Sequence, residues 1–264
     1  MNFPTKNNFE ILICSAWLPE QRVLKHVCED GNGRVGVDWA QEEIGCAAAL
    51  QPFIQDEFAR ISFRFLICGM GAFKAQETLL MHLAGLEKKP DLVCFVGTAG
   101  LVGNCAEEFK QPFSVTVNKV RWLDFALLQG HAYAPPGLDK SYVVESPVSF
   151  YLNGTSGRET VPEFLQERNL VCASTAGITL RAPHGYDSQA DLENLELFGV
   201  ARACEHFKLP WLGYLGVSNS IGQNAHEQWR QHHIHASCLA QRLCIDSLLQ
   251  LNLLPSSQLF PSHS

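Results

Sequence analysis

Short β-type runs alternate with helix-type runs along most of this chain, and that alternation limits its architecture more than any other feature. Strands are expected at Glu10–Ser15, Ile61–Cys68, Asp91–Val96, Phe113–Val120, Leu170–Ser174 and Trp211–Val217. Helices are expected at Pro19–Val27, Trp39–Ala59, Ala72–Leu86, Asp191–Phe207 and Ala225–Leu251. The run Asp91–Val96 is apolar without alternation, which suits a strand covered on both faces. Strands and helices in this order build an α/β domain: a largely parallel or mixed sheet with helices on both sides. The stretch Asp124–Ser156, rich in Pro, Gly and Tyr, carries no assigned element. No internal repeat or linker is seen. Residues 1–254 are therefore expected to form one domain, and residues 255–264 a flexible tail.

Composition narrows the class. The 264 residues are 46% hydrophobic and 18% charged, enough to bury a core. Twenty Lys and Arg against 27 Asp and Glu give a formal charge of -7, which argues against a nucleic-acid binder. No run reaches the ~18 apolar residues of a membrane span, and no apolar signal core opens the sequence. The ten cysteines contain no CxxC pair, and most sit in apolar runs such as Ile11–Cys14, Phe65–Cys68 and Leu92–Phe95. They read as reduced, buried thiols in a cytoplasmic protein. His226, His232, His233 and His235 crowd the start of the last helix without a supporting carboxylate or Cys. They read as surface or interface residues, and no metal site is expected.

In sheets of this kind, ligands gather where strands end. Five such places carry chemistry-bearing or small residues. Glu20 follows the first strand, where it could face a pocket or complement a helix dipole. Gly69 and Gly71 lie between a strand and a helix, forming either a tight turn or a close approach to a ligand. Gly97-Thr98-Ala99-Gly100 follows the Asp91–Val96 strand. Glu196, between Leu195 and Leu197, falls near the buried stripe of its helix, where a carboxylate is costly without a partner. Ser218 and Asn219 follow the last strand, where they can read polar edges of a ring or form a turn.

In this order the motifs Ala16-x-x-x-Glu20, Gly69-Met-Gly71, Gly97-Thr-Ala-Gly100, Leu195-Glu196 and Val217-Ser-Asn219 resemble the nucleoside phosphorylase and nucleosidase superfamily. The likeness spans roughly residues 10–250. It implies a three-layer sandwich with a central twisted mixed sheet, and an enzyme that cleaves purine nucleosides without a cofactor. It implies Glu20 as the general base for water and Glu196 as the partner of the ribose hydroxyls. Asn219 takes the position that reads the purine O6/N7 edge. That position is Asp in adenine-directed nucleosidases, such as those for methylthioadenosine and S-adenosylhomocysteine, and Asn in enzymes for 6-oxopurines. Thr98, Ala99 and Gly100 would line the ribose and base pocket. Ser174 to Ile178 would pack on the ring, and Gly69 and Gly71 would bring backbone near the water or sugar. Leu195 and Ser218 complete the expected binding set.

The run Val217–Gly222, with Trp229 downstream, looks most similar to futalosine hydrolases, the hypoxanthine-releasing branch of menaquinone biosynthesis. Leu215 stands where many nucleosidases have Arg, and Leu197 where a small residue is common. The phosphorylases' early Gly-Asp-Pro-x-Arg segment is replaced by Ala16–Glu20, and no Arg flanks the glycines at 97 and 100. Water is therefore favoured over phosphate, with Arg22 and Arg64 the nearest phosphate candidates. A phosphorylase and a nucleoside-binding homologue without turnover stay open as alternatives. The resemblance also implies a homodimer or larger homo-oligomer, with a small-molecule purine nucleoside as substrate.

Overall fold

The computed structural model of the chain describes residues 9–30, 40, 41, 43, 46, 47, 61–102, 109–124, 133, 141–148, 170–174 and 190–252. Its first strand, β1 (Phe9–Ser15), is followed by a single 3-10 turn at Leu18–Glu20, a short helix α1 (Arg22–Lys25) and a π turn at His26–Asp30. Then come β2 (Ile61–Ile67), α2 (Ala72–Gly85), β3 (Leu92–Leu101), β4 (Phe113–Val117), β5 (Lys119–Leu123) and β6 (Ser141–Glu145). The order closes with β7 (Val171–Ser174), β8 (Leu192–Glu193), α3 (Leu197–Phe207), β9 (Trp211–Ser220) and α4 (Ala225–Asn252). Among the described residues the nine strands form one mixed sheet, ordered β2-β1-β3-β8-β7-β5-β6, with β9 pairing β3 and β4.

The sheet is the middle of three layers, and single residues in β1 and β3 show why. Leu12, Cys14, Val93 and Phe95 point to one face, where they meet Ala75, Leu79 and Leu83 of α2 and Val200 and Cys204 of α3. Ile11, Ile13, Cys94 and Val96 point to the other, against Ala240, Cys244, Ile245 and Leu248 of α4. Both faces being covered, the runs Ile11–Cys14 in β1 and Leu92–Val96 in β3 are apolar at every position. In α4, Ala236, Ala240, Cys244 and Leu248 recur every four residues and are fully buried, the stripe a surface helix lays on a sheet. The nine described cysteines are free thiols, most of them core-filling. Among the described residues no helix is long and apolar enough to cross a membrane.

Several expected boundaries shift. The helix expected from Asp191 begins only at Leu197, because Leu192–Glu193 pairs with β3 and β7 as β8. The strands expected to end at Val96 and Val217 run on to Leu101 and Ser220, since β3 and β9 stay paired that far. Phe113–Val120 divides into β4 and β5, which pair with different partners. Pro19–Val27 is a chain of short helical turns rather than one α-helix. The unassigned stretch after Asp124 contains β6. Most of the expected helix Trp39–Ala59 and the whole 255–264 tail lie outside the described residues.

Candidate active site

The site opens where β3 changes neighbour. Along one edge, β3 pairs with β1 as far as Phe95 and with β8 from Gly100 onward. Residues Val96–Ala99 pair with neither strand on that edge. Two side chains fill the interval: the Thr98 N–H donates to Glu20 Oε1 at 3.1 Å, and Asn194 Nδ2 donates to the Thr98 carbonyl at 2.9 Å. Backbone groups that a strand would otherwise satisfy thus hold site residues in place.

Glu20 reaches this interval because Leu18–Glu20, with Pro19 in its first positions, makes a tight 3-10 turn just after β1. Its Oε2 accepts from the Ala16 N–H at 3.1 Å, and its Oε1 also accepts from the Thr98 hydroxyl at 3.3 Å. The side chain is buried rather than exposed at a helix end. Burial first, and the nearby Glu196 second, push its carboxyl up to about 8, against the opposing pull of the Thr98 and Ala16 hydrogen bonds.

Glu196 lies just before α3. Its Oε1 accepts from the Gly71 N–H at 2.9 Å and its Oε2 from Asn194 Nδ2 at 3.1 Å. Gly71 sits at φ +85°, a backbone conformation that favours glycine and turns this N–H toward the carboxylate. Burial raises the Glu196 carboxyl as well, with the Gly71 and Asn194 hydrogen bonds opposing it. Asn194 ties the arrangement together. Its Oδ1 accepts from the Glu196 and Leu197 N–H groups at 3.0 and 2.7 Å, capping the start of α3.

Asn219, near the end of β9, forms part of the cavity wall. Its Oδ1 accepts from the Ser218 hydroxyl at 2.8 Å, and its Nδ2 donates to the Ser220 carbonyl at 3.2 Å. Gly100 makes room for it, since a Cβ there would come within 2.9 Å of Asn219 Nδ2 and 2.4 Å of Ile221 Cδ1. Opposite the acids stand rings. Trp229 stacks on His233 at 4.5 Å and on His226 at 5.9 Å, and Trp17 lies 6.2 Å from Trp229.

The cavity these groups enclose holds about 270 Å³. Of the expected site residues, Glu20, Thr98, Ala99, Gly100, Leu195, Glu196 and Asn219 all line it. Gly69, Gly71, Ser174 and Ser218 do not line it; they support residues that do. Gly69 N–H donates to the Ala16 carbonyl at 3.2 Å. Ser174 is fully buried: its hydroxyl donates to the Asn194 carbonyl at 2.6 Å and accepts from the Phe198 N–H at 3.2 Å, so it anchors α3 rather than facing a ligand. Ile178 lies outside the described residues. Asn194, Glu193, Trp17, His226 and Trp229 also line the cavity, although no local signal in the sequence marks them as lining residues. Three buried carboxylates, Glu20, Glu193 and Glu196, therefore face one small cavity. Among the described residues no cluster of His, Cys, Asp or Glu could hold a metal ion.

The chain has the fold of the nucleoside phosphorylase and nucleosidase superfamily, as solved structures with the same architecture establish. A futalosine hydrolase mutant of Helicobacter pylori superposes with a TM-score of 0.63 at 13% identity, covering 93% of this chain and 100% of its own. A 5'-methylthioadenosine/S-adenosylhomocysteine nucleosidase from Colwellia psychrerythraea, in complex with adenine, gives 0.62 at 14% identity, covering 92% of this chain and 96% of its own. The corresponding nucleosidase from Neisseria meningitidis, in complex with methylthio-immucillin-A, gives 0.59 at 14%, covering 91% and 99%. No family model and no curated protein matches the sequence.

Proposed function

We propose that the protein is a purine nucleosidase that hydrolyses the N-glycosidic bond of a small-molecule nucleoside, with a preference for 6-oxopurines. The observation that carries this reading is the pair of buried carboxylates, Glu20 and Glu196, facing one cavity with Asn219 on its wall. Cleavage takes the ribosyl carbon through an oxocarbenium-like state, which buried anions stabilise. Glu20 takes a proton from the attacking water. Its carboxyl, pushed up to about 8, titrates close to neutrality, where a general base is effective. Glu196 accepts from the ribose hydroxyls. Asn219 holds the O6/N7 edge, so the leaving purine is activated by hydrogen bonds rather than by an acidic side chain. Thr98, Ala99, Gly100 and Leu195 shape the sugar and base pocket.

No Lys or Arg stands among the described residues that line the cavity, which favours water over a phosphate dianion. Structural neighbours that are a futalosine hydrolase and a methylthioadenosine/S-adenosylhomocysteine nucleosidase are consistent with this class of reaction. We place the enzyme in the cytoplasm as a homodimer or larger homo-oligomer, a single domain over residues 1–254 with no cofactor requirement. The test is incubation with futalosine, inosine and methylthioadenosine, with and without phosphate, followed by chromatography for free base. Release of hypoxanthine without phosphate is the expected result. Ribose 1-phosphate formed only with phosphate would move the reading to a phosphorylase, and no base from any substrate would overturn it.

A further inference from the structure

Trp229 is the side chain through which α4 reaches the Glu20 carboxylate. Its indole Nε1 lies 3.3 Å from Thr98 Oγ1. The same hydroxyl oxygen lies 3.3 Å from Glu20 Oε1. An indole N–H donates and cannot accept, and a hydroxyl has one proton to give. Thr98 Oγ1 therefore accepts from Trp229, and its proton is left for Glu20. We propose that Trp229 is a positioning residue: it fixes the polarity of the Thr98 hydroxyl and so aims a hydrogen bond at Oε1 of Glu20.

The ring itself is well held. His233 and His226 stack against it at interplanar angles of 22° and 17°, and His233 Nδ1 lies 3.2 Å from the Trp229 carbonyl. A phenylalanine would stack there as well, but only the indole supplies the donor. The catalytic consequence rests on the reading of Glu20 as the base. The relay is a property of the free protein and can be measured without turnover.

Other titratable groups face Glu20 or share its cavity: Glu196 ahead of α3, Glu193 on β8, His226 on α4 and Cys68 after β2. Trp229→Phe alters the stacking around His226 and His233, whereas Thr98→Val leaves every one of these groups in place. A shift common to both variants therefore belongs to the hydroxyl.

The experiment is an NMR titration of the free protein. It follows the 13C carboxyl resonance of Glu20, assigned by its loss in Glu20→Gln, and the indole N–H resonance of Trp229. In the unsubstituted protein the indole signal is expected to move with the Glu20 midpoint, and to stop doing so in Glu20→Gln and Thr98→Val. Trp229→Phe and Thr98→Val are each expected to raise the Glu20 midpoint by about half a unit to one unit. Thr98→Ser keeps the original value, and the double variant goes no further than Thr98→Val alone. The acid limb of kcat/KM moves with the same midpoints. An indole signal flat through the Glu20 titration overturns the proposal, as do additive shifts in the double variant. Full activity in Glu20→Gln would instead remove Glu20 as the base and leave the relay standing.

Discussion

Glu20 is governed by opposing influences, of which burial is the strongest. Burial and Glu196 favour its neutral form, while the amides of Ala16 and Thr98 and the Thr98 hydroxyl favour its anion. With the balance near 8, a base that must be ionised gives kcat/KM rising about tenfold per pH unit below that value and levelling above it. A pH–rate profile checks this, and Glu20→Gln is expected to lower the plateau by about 10²–10⁴. At Asn219 the two ends of the amide differ: Oδ1 accepts from Ser218, and Nδ2 donates to the Ser220 carbonyl. Asn219→Asp sets an oxygen against that carbonyl, favouring a protonated carboxyl. The ratio of kcat/KM for inosine over adenosine is then expected to fall by about tenfold or more, measured by base release. Glu20, Glu196 and Asn219 were legible in the sequence because each lies close to the end of a strand or the start of a helix. Asn194 was not, because its contact with Thr98 spans 96 positions and leaves no local spacing to read.

At the scale of elements, the site depends on how closely α2 and α3 approach. A Cβ on Gly199 would lie 1.9 Å from the Ala72 carbonyl oxygen, which is backbone and cannot swing aside. Gly199→Ala is therefore expected to cost about 3 kcal/mol in urea unfolding. It also raises KM, because Gly71 ahead of α2 and Glu196 ahead of α3 are joined by a hydrogen bond. Gly85, at the other end of α2, has open space around it, and Gly85→Ala is expected to stabilise by about 0.5 kcal/mol. The strand-helix order was legible from apolar runs. Boundaries near the site were not. Gly97, Thr98, Gly100 and Asn219 have the composition of loops, yet pairing between β3 and β9 keeps them extended. Leu192 and Leu195 mimic a helical stripe, but the ladder with β3 and β7 claims Leu192 for a strand.

For the whole molecule, two buried carboxyls raised in the folded state link stability to pH. The folded protein keeps the Glu20 proton that the unfolded chain releases near 4.5. This contribution is fully present below 4.5 and is lost as pH rises toward about 8. Glu196, shifted the same way, adds to it. Thermal melts are therefore expected to show a lower Tm at pH 9 than at pH 6, and Glu20→Gln to raise the Tm at pH 9 by about 5 °C. The thiols divide by the same physics: burial raises Cys14, Cys172, Cys204 and Cys244, whereas a hydrogen bond with Cys238 holds Cys46 below its usual value. Alkylation of the native protein followed by peptide mapping is expected to find Cys46 modified before those four. The interruption in the β3 edge also makes the molecule its own reporter. The Thr98 amide proton rests on a carboxylate instead of a neighbouring strand, so its resonance follows the charge of that carboxylate. Its deuterium exchange follows too, slowing when a bound molecule seals the gap and quickening when the acid takes up a proton. One backbone signal in the middle of the sheet can thus be watched to learn whether the cavity is filled, with no chromophore, label or product required.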